Sequence, residues 1–227
     1  MPYRSIAEFL NPKTYLMVVF IIISFICGTI LLINAIRKEE AERRILSCYG
    51  IFVMLYAFTR IFFLFSDYYI AINFGFETQI HLFYVTLAYS ITTTSLILIF
   101  YVLEKYLVPT KFIFMGISIT IFIFSVLSVL EIISQRISQM VIYILSPLLV
   151  LCILCLYFYV IRNTEGSTKK KATGVFIGIL CLTIGIILDV RFIEFMVSGI
   201  LNQIRWVFSA AFMIIGILIF TWSQIKK

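Results

Sequence analysis

The stretch TYLMVVFIIISFICGTILLINAI occupies residues 14–36 and contains no charged side chain. About 20 apolar residues are enough for a helix to cross the hydrocarbon core of a bilayer. Lipid offers the backbone no hydrogen-bond partners, so such a run must satisfy its own peptide groups, as an α-helix does. The run is too long for the core of a signal peptide, and no small-residue cleavage site follows it. We therefore expect residues 14–36 to form a retained membrane-spanning helix.

Six further apolar runs follow in a chain of 227 residues that is 63% hydrophobic and only 13% charged. Soluble domains are about half apolar and a quarter charged. The predicted spans lie near residues 14–36, 45–66, 79–103, 112–133, 139–161, 172–190 and 205–224. The sequence thus predicts an all-α integral membrane protein, a single seven-helix bundle over residues 1–227. Short loops favour antiparallel packing of consecutive helices.

The distribution of Lys and Arg predicts the orientation of the bundle. Twelve of the 18 basic residues flank one side of the predicted spans, mainly in 37–44 and 169–171, five flank the other, and Arg60 lies within a span. Cytoplasmic loops carry the excess of basic residues. The N-terminus is therefore expected outside and the C-terminus in the cytoplasm. The net charge of +7 reflects this topology and does not suggest nucleic-acid binding.

Ionisable side chains in or near the spans concentrate at the predicted outer ends. Such residues are costly in lipid and usually face the bundle interior or a cavity. We expect them to form an ion-pair or ligand-binding cluster, with Arg60 paired to Asp67 or Asp189. Structural ion pairs and headgroup contacts are the alternative. The candidate residues are Arg60, Asp67, His81, Glu131, Asp189, Arg191 and Arg205.

A run of hydroxyl-bearing residues lies near the middle of the third span. Serine and threonine can line a polar cavity, but they can also bond to their own helix backbone and bend it. Tyr56 lies on the same stripe of the second span as Arg60. The candidate cavity-lining residues are Tyr56, Tyr89, Thr92, Thr93 and Ser95.

Small residues form stripes on the last two spans. Small side chains allow membrane helices to approach closely. The stripes predict a tight packing seam between these spans. The helix-packing candidates are Gly174, Gly178, Gly185, Ser209 and Gly216.

The sequence contains no recognisable catalytic or cofactor-binding motif. It has one histidine, and no zinc-protease, serine-hydrolase or phosphate-binding loop signature. Cys152 and Cys155 have the spacing of metal ligands, but they lie in an apolar span far along the chain from His81, and a metal site requires more ligands. We predict a non-enzymatic protein with no metal site and no cofactor.

Parts of the sequence resemble the seven-helix input regions of prokaryotic, especially archaeal, membrane sensors, including those that precede histidine kinases. The resemblance covers about half of the chain. It rests on 169–172, Gly178, Gly185 and Gly216, and on Gly50, 60–63 and Asp67. It implies a sensory role. Those regions precede an output domain, whereas nothing follows Lys227 in this sequence, so a partner protein is expected to carry the output.

Three functions are open at this point. A receptor-like sensory module of the cell membrane would respond to an unidentified ligand or lipid and signal through a protein partner. A small transporter or channel, alone or as a homo-oligomer, would need a polar passage beyond 92–95. A structural subunit of a membrane complex would use its polar residues for assembly. A closed inner half beneath an outer polar site would favour the receptor.

Overall fold

The computed structural model describes residues 12–75, 78–189 and 200–225. In this part of the chain seven long helices follow one another and no β-strand occurs. Their bounds are α1 Pro12–Ile36, α2 Glu40–Leu64, α3 Gln79–Val102, α4 Ile113–Val129, α5 Gln135–Asn163, α6 Gly166–Asp189 and α7 Ile200–Ile225. The all-helical fold predicted from the apolar runs is therefore present.

Two helices continue as π-helix beyond their α-helical part. After α2, a π-helical segment at Phe65–Ile70 leads into a last turn at Ala71–Phe74. After α3, a π-helical segment covers Leu103–Leu107. Segments of this kind occur often at functional sites, because they change the direction in which the following side chains point. The second predicted span is thus longer than residues 45–66.

Six of the seven helices are long and apolar enough to cross a membrane, judged by length and composition. The shorter helix is α4, whose 17 residues end at Val129, before the predicted end of its span at residue 133. Glu131 adopts a left-handed conformation with φ of 59°, and the Ile132 N–H bonds back to the Leu127 carbonyl at 2.9 Å. This backbone reversal terminates α4.

The helices form a closed ring. Each helix packs against the next along the chain, α7 packs against α1, and α3 also contacts α5. The interior holds large apolar side chains, among them Phe20, Phe100 and Phe220. Many large apolar side chains are exposed instead, such as Ile144 at 71% and Trp222 at 67%. An apolar exterior of this extent is typical of a surface that meets lipid, and together with the six long helices it indicates a multi-pass membrane protein.

Candidate functional site

A buried ion pair joins α2 to α6 at one end of the bundle. We call the end that carries Asp67 and Asp189 the upper end, and the end that carries Glu42 and Lys171 the lower end. Arg60 of α2 donates from Nη1 to Asp189 Oδ2 at 3.0 Å, and from Nη2 to the Tyr56 hydroxyl at 2.9 Å. Its side chain is 10% exposed and that of Asp189 is 20% exposed. Of the two carboxylates predicted as partners for Arg60, Asp189 is the one in contact.

The π-helical segment brings further polar groups to the same place. Ser66 Oγ donates to the His81 carbonyl oxygen at 3.3 Å, and His81 Nε2 lies 3.5 Å from Asp67 Oδ1. Thr78 caps the start of α3 and accepts the His81 backbone N–H at 3.4 Å, which fixes the first turn carrying His81. A helix cap of this kind satisfies an otherwise unpaired backbone donor. The Arg60–Asp189 pair and the Asp67–His81 pair therefore lie side by side.

The described residues line a small, half-open cavity of about 30 Å³ between these groups. It is lined by Met17, Arg60, Phe63, Leu64, Asp67, Tyr68 and Asp189. A single water molecule needs about 10–15 Å³ on this measure, whereas pockets for drug-sized ligands have about 300–1,000 Å³. We call this the upper cavity. Its size suits water or a small ion next to two carboxylates and a guanidinium.

Glu131 and Arg205 are not among the described residues that line the upper cavity. Glu131 accepts a hydrogen bond from Gln79 Nε2 at 2.9 Å on the exposed surface. Arg205 is buried, and its Cζ lies 5.4 Å from the ring centroid of Trp206. Arg191 lies outside the described residues. Of the seven predicted residues, four thus form two neighbouring pairs, Glu131 and Arg205 lie elsewhere, and Arg191 is outside the described residues.

Aromatic side chains fill the bundle below the upper cavity. Tyr56 lies directly beneath Arg60, and its ring centroid is 6.4 Å from that of Phe52. Phe220 of α7 lies 5.7 Å from Phe52 and 5.2 Å from Tyr49, again between ring centroids. The hydroxyls of Tyr49 and Tyr157 are 2.6 Å apart and buried. Aromatic rings of α2 and α7 therefore pack together in the interior at this level.

The predicted cavity lining is not reproduced at the upper cavity. None of Tyr56, Tyr89, Thr92, Thr93 and Ser95 is among its lining residues. The hydroxyls on α3 return to the helix itself, with Thr92 bonding to the Ala88 carbonyl and Thr93 to the Tyr89 carbonyl. Ser95 bonds to the Thr92 carbonyl in the same way. Back-bonding of this kind satisfies a hydroxyl without any cavity.

The Tyr89 hydroxyl bonds to another helix, donating to the hydroxyl of Tyr143 on α5 at 3.3 Å. Thr92 also reaches Thr59 of α2, with 3.2 Å between their hydroxyl oxygens. The hydroxyl run therefore links α3 to its neighbours.

Small residues bring α6 and α7 into the most extensive helix contact of the bundle. A Cβ added to Gly178 would lie 2.8 Å from the Gly216 carbonyl oxygen, and one added to Gly185 would lie 2.8 Å from the Ser209 carbonyl oxygen. Ser209 Oγ donates to the Gly185 carbonyl at 2.8 Å. Gly174 lies against Ser223 in the same contact. We call this contact the glycine seam.

A second ion pair joins α2 to α6 at the lower end. Lys171 Nζ lies 2.6 Å from Glu42 Oε1, and Lys38 is 3.1 Å from the other oxygen of Glu42. Arg60 follows Glu42 by 18 residues, and Asp189 follows Lys171 by the same number. Eighteen residues are five helical turns, or about 27 Å. The two pairs therefore lie on one face of each helix, separated by nearly the thickness of a hydrocarbon core.

The sequence analysis did not predict the structural roles of three residues. Glu104 is buried, and it accepts the backbone N–H groups of Phe114 and Met115 at 3.0 and 2.9 Å, so it caps α4 from the π-helical segment after α3. Gly50 faces Gly28 in a second close helix crossing, between α1 and α2. Tyr157 meets Tyr49 across the bundle. Of these three roles, only that of Gly50 could have been predicted from the sequence, because small residues on consecutive spans suggest a close helix crossing.

No protein-family model matches this sequence, and comparisons with curated proteins and with solved structures also find no match. The resemblance to sensor input regions therefore stays a prediction from the quoted residues.

Proposed function

We propose that the protein is a receptor-like sensory module of the cell membrane, in which all seven helices span the bilayer. The upper end faces outside and the lower end faces the cytoplasm, in accordance with the positive-inside rule. A change in the upper cavity shifts α2 relative to α6, and a partner protein detects the shift at 37–44 and 162–171.

The observation that carries this proposal is the pair of matched ion pairs between α2 and α6. Both bridge the same two helices, one beside the upper cavity and one at the lower end. Coupling between distant sites requires an element whose arrangement both sites influence. The α2–α6 pair meets this requirement because each of its ends has a polar contact that a ligand or partner can alter.

The aromatic packing below the upper cavity favours a sensor over a channel. Conduction would need a polar passage from the upper cavity to the lower end, whereas Tyr49, Phe52 and Phe220 are buried there and the Phe220 ring packs against the other two. The hydroxyls on α3 are bonded to their own backbone rather than to such a passage. An upper polar site above an interior packed with aromatic rings is the arrangement expected of a receptor.

Distance measurements between spin labels test the coupling. Labels at Glu39→Cys and Thr168→Cys, in a background without other cysteines, report the α2–α6 separation at the lower end. We expect Asp189→Asn to shift this distance in lipid nanodiscs by several ångströms. Glu131→Gln is the matched control. Like Asp189→Asn, it neutralises a carboxylate at the upper end, but the contact of Glu131 is with Gln79. Unchanged distances in Asp189→Asn, or ion leakage through the protein in sealed vesicles, would contradict the sensory proposal.

Labelling in intact cells tests the orientation separately. Asn73 and Ser167 are both exposed and lie at opposite ends of the bundle. A membrane-impermeant thiol reagent should modify Asn73→Cys and leave Ser167→Cys unmodified until the cells are opened. Labelling of Ser167→Cys in sealed cells would reverse the orientation.

A further inference from the structure

A cationic and aromatic cluster lies at the lower end where α2 meets α3, away from both ion pairs between α2 and α6. It consists of Arg44, Tyr101, Lys105 and Tyr106, and we call it the Arg44–Lys105 cluster. Lys105 Nζ donates to the Tyr101 hydroxyl at 2.7 Å and lies 4.9 Å from the Tyr101 ring centroid. It also lies 5.7 Å from the ring centroid of Tyr106, whose hydroxyl interacts with Arg44.

The cluster holds two positive charges close together on the surface. Lys105 and Arg44 are near enough for their charges to repel each other. Arg44 pairs with Glu40, and the side chain of Arg44 is still 51% exposed. Lys105 is also exposed and lies in the π-helical segment that ends α3. Two cations with one carboxylate leave a net positive charge, which a monoanionic phosphodiester would neutralise.

An exposed apolar track begins at this cluster and runs along α2. Ile51, Phe58 and Phe65 follow Arg44 at intervals of seven residues, and they are 40%, 45% and 38% exposed. Residues seven apart lie on one face of a helix, and the track from 44 to 65 is about 31 Å long at 1.5 Å per residue. This length is close to the thickness of the hydrocarbon core. An acyl chain of the leaflet at the lower end would lie along the lower half of this track, whereas a free phosphate ion has no apolar part to contact it.

We propose that the Arg44–Lys105 cluster is a binding site for the headgroup of an anionic glycerophospholipid in the leaflet at the lower end. The phosphodiester oxygens contact Arg44 and Lys105, and Tyr101 and Tyr106 hold both cations at the level of the headgroups. The acyl chains lie along Ile51 and Phe58. Tyrosine at the membrane interface suits this arrangement, since its ring is apolar and its hydroxyl is polar.

Association of spin-labelled lipids with the reconstituted protein tests the site. In phosphatidylcholine vesicles, the wild-type protein should immobilise labelled phosphatidylglycerol at least about fivefold more strongly than labelled phosphatidylcholine, since each basic residue near the surface contributes about 1 kcal/mol. Arg44→Gln combined with Lys105→Gln should abolish the preference. Wild-type protein without any preference would overturn the proposal, whatever the folding of the variant.

Two controls separate a specific site from other sources of the same effect. Lys169→Gln combined with Lys170→Gln removes two exposed charges at the lower end but leaves the cluster intact, so it should retain most of the preference. An equal loss in both double variants would mean diffuse surface charge and would overturn the site. Displacement of labelled phosphatidylglycerol by inorganic phosphate, but not by sodium chloride of equal ionic strength, would mean recognition of free phosphate and would also overturn it.

Discussion

Helix α6 is joined to α7 and to α2 in opposite ways. Against α7, glycines place the backbones in direct contact, so that even one methyl group at Gly178 would collide with a carbonyl oxygen at 2.8 Å. Towards α2, long side chains bridge the gap, with an ion pair near each end and aromatic rings between α2 and α7. Backbone contacts cannot adjust without separating the helices, whereas ion pairs and rings can change geometry. We infer that α6 and α7 move as one body and that motion concentrates between this body and α2.

The largest loss of stability is expected when the upper ion pair is broken. Asp189→Leu should lower the free energy of unfolding by about 3 kcal/mol, because it leaves the Arg60 charge buried without its carboxylate. Arg60→Met should cost less, since Asp189 lies closer to the surface and can be protonated or meet water. The double variant should recover most of the stability lost in Asp189→Leu, as measured by reversible unfolding in mixed micelles. Additive losses would show that the two residues are not coupled.

The next largest loss of stability is expected when a methyl group is added within the glycine seam. Gly178→Ala should destabilise the protein by about 2 kcal/mol, because its new methyl group meets backbone atoms that cannot move aside. Gly116→Ala in α4 is the matched control, since a Cβ there has no atom within 4 Å. It should be neutral or stabilising by about 0.5–1 kcal/mol, owing to the higher helix propensity of alanine. Equal melting temperatures for the two variants would contradict a tight seam.

A smaller loss of stability is expected at the buried polar contact between α2 and α5. Tyr157→Phe removes one of two buried hydroxyls that lie 2.6 Å apart and leaves Tyr49 without this partner. The expected loss of stability is about 1 kcal/mol. Tyr159→Phe on the same helix removes a hydroxyl from a side chain that is 55% exposed, so its unfolding curve should overlay that of the wild type. A loss of the same size at Tyr159 would mean that burial does not determine the cost.

The smallest loss of stability is expected when the lower ion pair is broken. The side chains of Lys171 and Glu42 are 27% and 41% exposed, so water and salt screen their attraction. Glu42→Gln should reduce stability by less than about 1 kcal/mol, and the difference should shrink as salt is added. A larger loss that does not depend on salt would show that the two ends of the α2–α6 gap are equally buried, and the contrast between them would disappear.

The sequence predicted those features that depend on composition along one helix. The apolar runs indicated the helices, and the stripe of Gly178 and Gly185 indicated the seam, because both patterns follow from helical periodicity. The sequence also indicated that Arg60 needs a carboxylate, but the choice of Asp189 over Asp67 depends on how α6 packs relative to α2. Glu104 was missed for the same reason, since its partners lie on another helix.

The hydroxyls of α3 show a different limit of sequence reasoning. The same residues can line a cavity or bond to the preceding turn, and only the neighbouring helices decide between these outcomes. The end of α4 shows another, because Glu131 gives no sign in the sequence of its left-handed backbone.

The brevity of α4 has a consequence for the surrounding bilayer. Its 17 residues rise about 26 Å, a few ångströms less than a typical hydrocarbon core of about 30 Å. The adjacent α5 has 29 residues and rises about 44 Å. If both cross the membrane, as we propose, lipid next to α4 has to thin while lipid next to α5 does not. Since mismatch costs a fraction of a kcal/mol per ångström, the protein should favour thin membranes and should orient its α4 side towards thin patches or towards other short helices.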